Sequence, residues 1–250
     1  MISKRWIVLV GSICALACWE ALRRYDLVSA ILLASPTEIF EAAGRSGGSF
    51  VSAFAVTFPT IAVSMALVGV CGVVAGLLLG LVPVLSAGFG PVLSSIFAIP
   101  AVIWYPMFVV WFGIGPESKI VFAFVSGFFP VALSTIGGVQ LIDRRFVDVA
   151  RSFGVGRWRM FLSVLIPLAM PVIVSGLRIG LGLVAIAVVV GELVASTSGI
   201  GFLISFHRTV FETGEVYFGI VLVLVGVALI NVAFGALERR FLLWQASERN

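Results

Sequence analysis

The residues able to do chemistry are few and scattered. His207 is the only histidine; it sits beside Arg208 in a polar stretch and has no evident metal partners. Cys14, Cys18 and Cys71 all lie in apolar segments and give neither a disulfide framework nor a closely spaced metal set. No Gly-rich loop ends in Gly-Lys-Ser/Thr, and the sequence has no histidine metal box and no nucleophile elbow. A membrane enzyme should cluster acids, histidines or cysteines at one depth, and only isolated candidates occur. One charged cluster does stand out: Asp143, Arg144, Arg145, Asp148, Arg151, Arg157 and Arg159, all within residues 141–163. Taken alone it reads either as an ordinary solvated, inside-positive loop or as a set of modest, complementary contacts to a partner. Two further ionisable residues belong to an apolar stretch. Arg178 interrupts it and would be costly in lipid, so it faces protein, water or the headgroups. It is read as a structural ion pair, a snorkelling residue or a functional charge within the membrane. Glu192 ends that stretch ahead of Ser196-Thr197-Ser198-Gly199-Ile200-Gly201. It is read as a contact at the outward exit or as a polar helix end.

The elements that must carry these residues follow from composition. Of 250 residues, 61% are apolar and 11% charged, against roughly 25% charged in soluble proteins, and the mean hydropathy is +1.20. No Asp, Glu, Lys or Arg occurs between Arg45 and Glu117, between Lys119 and Asp143, or between Glu215 and Glu238. An apolar helix crosses the hydrocarbon in about 20 residues, and a barrel strand would alternate in polarity. An all-α, polytopic transmembrane bundle of about six spans is therefore expected. The spans are placed at about 6–22 (retained rather than cleaved), 56–82, 91–112, 119–140, 164–191 and 216–237, within a single transmembrane domain covering 1–250. Ser35-Pro36-Thr37-Glu38 reads as a helix start, giving a short interfacial helix over about 36–44. The Pro/Gly-rich stretch from Gly80 to Pro91 divides the second span from the third. Gly69, Gly72, Gly76 and Gly80 form one small-residue face in the second span. Pro100 and Pro106 interrupt the third, which makes it either a kinked interior helix or a helix of a translocation path. Trp104, Tyr105, Trp111 and Phe112 read as interfacial anchors that could also line a passage for an organic solute.

The positive-inside rule orients the spans. With the N terminus inside, the cytosolic side collects ten basic residues (Lys4, Arg5, Arg144, Arg145, Arg151, Arg157, Arg159, Arg239, Arg240, Arg249) against four acidic ones (Asp143, Asp148, Glu238, Glu248). Both termini and the 141–163 loop are expected in the cytosol. The basic residues lie between spans and at the chain ends, so the net charge of +4 sets topology and does not point to nucleic acid.

The cytosolic loop reads Asp148-Val149-Ala150-Arg151-Ser152-Phe153-Gly154 and, nine residues later, Val164-Leu165-Ile166-Pro167. This resembles the signature loop of the inner-membrane permease subunits of ATP-binding-cassette importers, in which Glu-Ala-Ala, three residues and Gly are followed by nine residues and Ile-x-Leu-Pro. The spacing matches, with Asp148, Val149, Val164 and Ile166 as conservative departures. Leu33-Ala34-Ser35-Pro36-Thr37-Glu38, Trp111-Phe112-Gly113-Ile114-Gly115, Ser118-Lys119-Ile120, Phe128-Phe129-Pro130, Gly176-Leu177-Arg178 and Gly199-Ile200-Gly201 narrow the resemblance to the sulfonate, taurine, nitrate and bicarbonate type, over about residues 30–243.

The resemblance implies a type I importer permease of the bacterial inner membrane, without catalysis or a bound cofactor of its own. Its partners would be cytosolic ATPase subunits that use ATP, an extracytoplasmic solute-binding protein, a second permease copy and membrane lipid. The coupling residues would be Asp148, Val149, Ala150, Gly154 and Pro167, in a knob built from a helix over about 146–153, a turn at Gly154-Val155-Gly156 and a helix from Arg157. Pro100, Pro106, Arg178 and Glu192 are the candidates for translocation or gating. The rival readings are an ion-gradient-driven secondary transporter, disfavoured by the scarcity of intramembrane acids, and a membrane assembly subunit.

Overall fold

The computed structural model describes residues 4–247, and every regular element among them is a helix. In chain order these are α1 (Lys4–Arg24), α2 (Pro36–Leu81), α3 (Pro83–Phe97), α4 (Tyr105–Phe112), α5 (Pro116–Gln140), α6 (Arg144–Ser152), α7 (Arg157–Met160), α8 (Ile166–Val194), α9 (Ile200–Thr209) and α10 (Thr213–Ser247). A single 3₁₀ turn over Ala101–Trp104 leads into α4, and a π-helical turn over Phe161–Leu165 joins α7 to α8. Among the described residues, four helical stretches are long and apolar enough to cross a membrane, and a fifth crossing arises if α3 and α4, bent by 77°, count as one broken span. The remaining segment of the sequence reading, 6–22, is the 21-residue α1. Glu248 and Arg249, counted in the charge balance above, lie outside the described residues.

Two boundaries differ from the sequence reading. The interfacial helix expected over 36–44 and the span expected over 56–82 are one continuous 46-residue helix, α2. Glycines at 44, 47 and 48 each weaken a helix by about 1 kcal/mol, but tertiary packing overrides propensity. Ala42 and Phe50 are fully buried, and Arg45 Nε is 3.1 Å from a Glu215 carboxylate oxygen. The other difference concerns the Gly80–Pro91 stretch, which is not an extended turn. The chain breaks only at Val82, and Pro83 opens α3, where a missing N–H costs nothing. The real interruption comes later, at Ala98–Pro100, so the expected span 91–112 is broken in its middle.

The chain forms two compact units: residues up to Thr57 with Glu192–Gly226, and Phe58–Gly191 with the residues from Val227 on. In the second unit the expected small-residue face is a contact surface. Gly72, Gly76 and Gly80 of α2 lie against Val131, Thr135 and Ile136 of α5, whereas Gly69 faces Leu177 of α8. α8 approaches α5 by the same device, with Gly176 against Ser134 and Gly180 against Val131. Backbones this close gain dispersion contacts that bulkier residues would prevent.

These contacts predict opposite outcomes for two identical substitutions. A Cβ at Gly76 would stand 2.7 Å from the Ala132 carbonyl oxygen, whereas one at Gly69 would find ordinary contact, 3.6 Å from Leu177. Gly76→Ala should destabilise the detergent-solubilised protein by about 1–3 kcal/mol, as overpacking does, with Gly69→Ala near neutral. Thermal unfolding of both variants checks this, and equal melting temperatures would refute the packing assignment.

Candidate functional site

The loop between α5 and α8 is locally well specified. Asp143 caps α6, its carboxylate accepting the Arg145 N–H at 2.9 Å. At the other end the Gly154 N–H donates to the Arg151 carbonyl (2.9 Å) and the Val155 N–H to the Ala150 carbonyl (3.2 Å). This pair of bonds, with Gly154 at φ +71°, is a Schellman ending, which calls for a residue at ease in the left-handed region. α7 then starts from Gly156, whose carbonyl accepts the Met160 N–H at 2.8 Å. The expected helix, turn and second helix are all present, with α6 beginning at Arg144 and α7 continuing through the π-helical turn into α8.

The knob brings Asp148, Val149, Ala150 and Gly154 together, with Pro167 at the second position of α8. Asp148 is exposed, and its 3.8 Å pairing with Arg151 adds little in water. Val149 is exposed and Ala150 half-buried. Phe146 (55% exposed), Val149 (57%) and Phe153 (83%) follow the i, i+3, i+7 spacing of one helix face, and Trp158 of α7 is 73% exposed. Such an exposed apolar stripe on a charged loop marks a candidate interaction surface. The sequence reading missed these aromatics, although their spacing was visible.

Of the translocation candidates, Pro100 is exposed at the break in the α3–α4 span, and Pro106 is exposed in the first turn of α4. Pro100 also lines an open cavity of about 310 Å³ between the broken span, α5 and α8. Arg178 is exposed near the middle of α8, with Ser175 and Ile179 exposed beside it. Tyr105, read above as an interfacial anchor, is fully buried: it donates to the Gly191 carbonyl at 2.9 Å and packs on Phe122. Buried Lys119 folds back onto the carbonyls of Ile114 and Gly115, at 3.3 and 3.2 Å.

Glu192 is 1% exposed and has a defined structural task in the first unit. Both its carboxylate oxygens lie 2.9 Å from the Thr57 hydroxyl, and Oε2 accepts the Gly201 N–H at 3.0 Å. The Thr57 oxygen in turn accepts the Ile200 N–H at 2.9 Å. Together they satisfy the first two amides of α9 and set a carboxylate at its positive end. Gly199, at φ +99°, leaves the room, since an added Cβ there would run into the carboxylate. The sequence reading kept a polar helix end as an alternative for Glu192, and it missed Thr57.

Comparison with known proteins bears on the whole arrangement. Residues 69–243 match the family described as the inner membrane component of binding-protein-dependent transport systems. The chain belongs to that family. It is 29% identical over 253 residues to the taurine transport system permease protein of Escherichia coli (strain K12), spanning 97% of this chain and 91% of that one. It is 30% identical over 236 residues to a permease of Bacillus subtilis (strain 168) assigned to aliphatic sulfonates transport, covering 93% and 85%. Its fold is similar to that of a chain of the methionine ABC transporter MetNI solved in an inward-facing conformation, with a TM-score of 0.68 at 21% identity, covering 79% of this chain and 98% of that one. This binding-protein-dependent permease is thus a multi-pass membrane subunit whose relatives are transport permeases and not enzymes.

The α9 cap makes a prediction specific to this permease. Thr57→Val removes the acceptor for the Ile200 amide and the donor to Glu192, which should cost about 1–2 kcal/mol locally. Hydrogen exchange at the amides of Ile200–Leu203 should accelerate about tenfold, since 1.4 kcal/mol is a factor of ten. Thr57→Ser should retain protection. Unchanged exchange in Thr57→Val would show that Glu192 caps α9 without it.

Proposed function

We propose that this chain is the membrane half of an ATP-driven importer for an organic anion, and that the α6–α7 knob is where it receives mechanical work. The observation that carries this reading is the exposed Phe146-Val149-Phe153 stripe on a helix whose ends are fixed by the Asp143 cap and the Gly154 turn. A rigid amphipathic helix presented on a loop suits a groove in a partner, and the loop's spacing from Asp148 to Pro167 is that of importer permeases. The partner is a cytosolic ATPase subunit that binds and hydrolyses ATP. Asp148 and Arg151 supply rim charges, and Val149 and Ala150 supply the buried contact. Gly154 sets the angle between the two knob helices, and Pro167 marks where the motion enters α8.

Closure of two such ATPases would push both knobs of a permease homodimer and open the path to a docked extracytoplasmic binding protein, in a coupled two-state equilibrium. Six spans leave both termini and the knob on the cytosolic side of the inner membrane, in line with the ten-to-four excess of basic residues there. The broken span carrying Pro100 and Pro106 lines the path. Arg178, exposed halfway along α8, is its charge-selecting residue, because a cation at that depth is tolerated only facing protein, water or a counter-ion. Glu192 acts one step removed, by fixing α9 at the outward end. The taurine and sulfonate relatives support an organic anion as the solute.

Two experiments test this. Asp148→Lys combined with Ala150→Trp should reduce ATPase association and coupled uptake at least about tenfold, the scale of losing a buried hot spot, while membrane insertion stays normal. Undiminished coupled uptake would sink the knob assignment. Separately, Arg178→Gln should lower sulfonate uptake while leaving ATPase association intact, and equal uptake by both forms would remove Arg178 from the path.

A further inference from the structure

The cavity beside Pro100 has a wall chemistry that the reading above does not use. Four aromatic side chains face it, Phe97 and Trp104 from the broken span and Phe122 and Phe129 from α5, and Leu183, Ile186 and Val190 close it from α8. No charged side chain lines it. Its one side-chain hydroxyl, Ser126, already donates to the Phe122 carbonyl at 2.8 Å. A bare inorganic anion or a sulfonate head would be desolvated there with no cationic partner and only the Trp104 indole N–H as an uncommitted side-chain donor, at a cost of several kcal/mol. Aromatic faces instead favour a ring, by about 0.5–1.5 kcal/mol per aromatic pair beyond the area buried.

Two further observations set the cavity apart from an ordinary packing defect. Its rim includes the non-helical backbone around Pro100, at the 77° break, and irregular backbone at membrane depth persists where it lines a cavity or is buried in protein. Its volume of about 310 Å³ lies at the small end of ligand sites, which run from roughly 300 to 1,000 Å³. That is room for a small ring system. Ile186, which lines the cavity from α8, is 61% exposed.

We infer that this cavity is a subsite for the aromatic ring of the transported solute, and that the solute is an aromatic organic anion whose charged group stays outside the cavity. The inference rests on the importer reading and narrows its substrate class: a solute with no apolar body, such as nitrate or taurine, leaves the aromatic wall unused.

The test compares benzenesulfonate with methanesulfonate, which share a head group and differ in the ring, on the purified full-length chain in lipid nanodiscs by saturation-transfer NMR and equilibrium dialysis. Benzenesulfonate should bind saturably and about tenfold or more tighter than methanesulfonate, the effect expected for burying one ring. Ile186→Trp, at an exposed position, and Ser126→Phe should each weaken benzenesulfonate about tenfold by filling the cavity, with methanesulfonate unchanged. Equal affinities for the two sulfonates, absence of saturable benzenesulfonate binding, or indifference to both filling substitutions would overturn the subsite; the last is the result expected if the ring partitions into lipid or an acyl chain occupies the space. None of these outcomes depends on the knob, whose failure would show separately as ATPase association unaffected by the Asp148 and Ala150 changes.

Discussion

In a medium without water, a backbone N–H or C=O left behind where a helix stops has to find its partner within the protein. Much of what is distinctive in this chain follows from that constraint, because it stops and restarts helices repeatedly. α9 begins only because Glu192 and Thr57, drawn from two other helices, supply acceptors to its first amides. The turn before α5 holds because Lys119 folds back onto two of its carbonyls while its hydrocarbon stem lies beside Gly191. Both side chains are charged and nearly inaccessible, and both are bonded where the chain changes direction. Ionisable residues near the membrane are usually taken for transport residues. Here two of them are spent on helix ends.

The same constraint gives the broken α3–α4 span its meaning. Continuous helices satisfy themselves, so a break is retained where the chain gains a shape that a straight helix cannot offer. At Ala98–Pro100 the gain is a concave wall of aromatic and aliphatic side chains. Behind it the packing is the reverse of open: Gly72, Gly76 and Gly80 on α2, and Gly176 and Gly180 on α8, bring their backbones against α5 with no space left for a methyl group. A close-packed helix backs a broken one across the cavity, and a rigid wall can keep its shape while the facing element moves.

How much of this could be read from the sequence depended on whether a feature was local. The helical class, the charge-free tracts and the knob were legible because each is a property of contiguous residues: hydropathy over about 20 positions, or a helix, a left-handed glycine and a helix over 143–160. The glycine face of α2 was legible because its period is that of the helix. The continuity of α2 through Gly44, Gly47 and Gly48 was not, since it depends on Ala42 and Phe50 being buried and on Arg45 meeting Glu215, a residue 170 positions away. The roles of Thr57 and Tyr105 were hidden for the same reason. Thr57 looks like any threonine of an apolar helix until Ile200 and Glu192 are beside it, and Tyr105 looks like an interfacial aromatic until Gly191 takes its hydroxyl. The Pro/Gly stretch at 80–91 misled because proline breaks a helix from within and starts one at its first position, and only the location of the preceding break distinguishes the two.

The knob shows how the local and the long-range parts meet. Its charges, which first drew notice, contribute little by themselves, because Asp148 and Arg151 are about 70% exposed and 3.8 Å apart. The stripe of Phe146, Val149 and Phe153 carries the larger free energy: fully burying such a side chain is worth about 1.5–3 kcal/mol, and that energy is released only when something covers it. The Asp143 cap and the Gly154 turn keep α6 formed while uncovered, so little ordering entropy is lost on docking. Displacement of a helix already formed is also transmitted with less loss than displacement of a flexible loop. α7 passes into α8 through the π-helical turn over Phe161–Leu165, so the knob is continuous with the helix that bears Arg178 and lines the aromatic cavity.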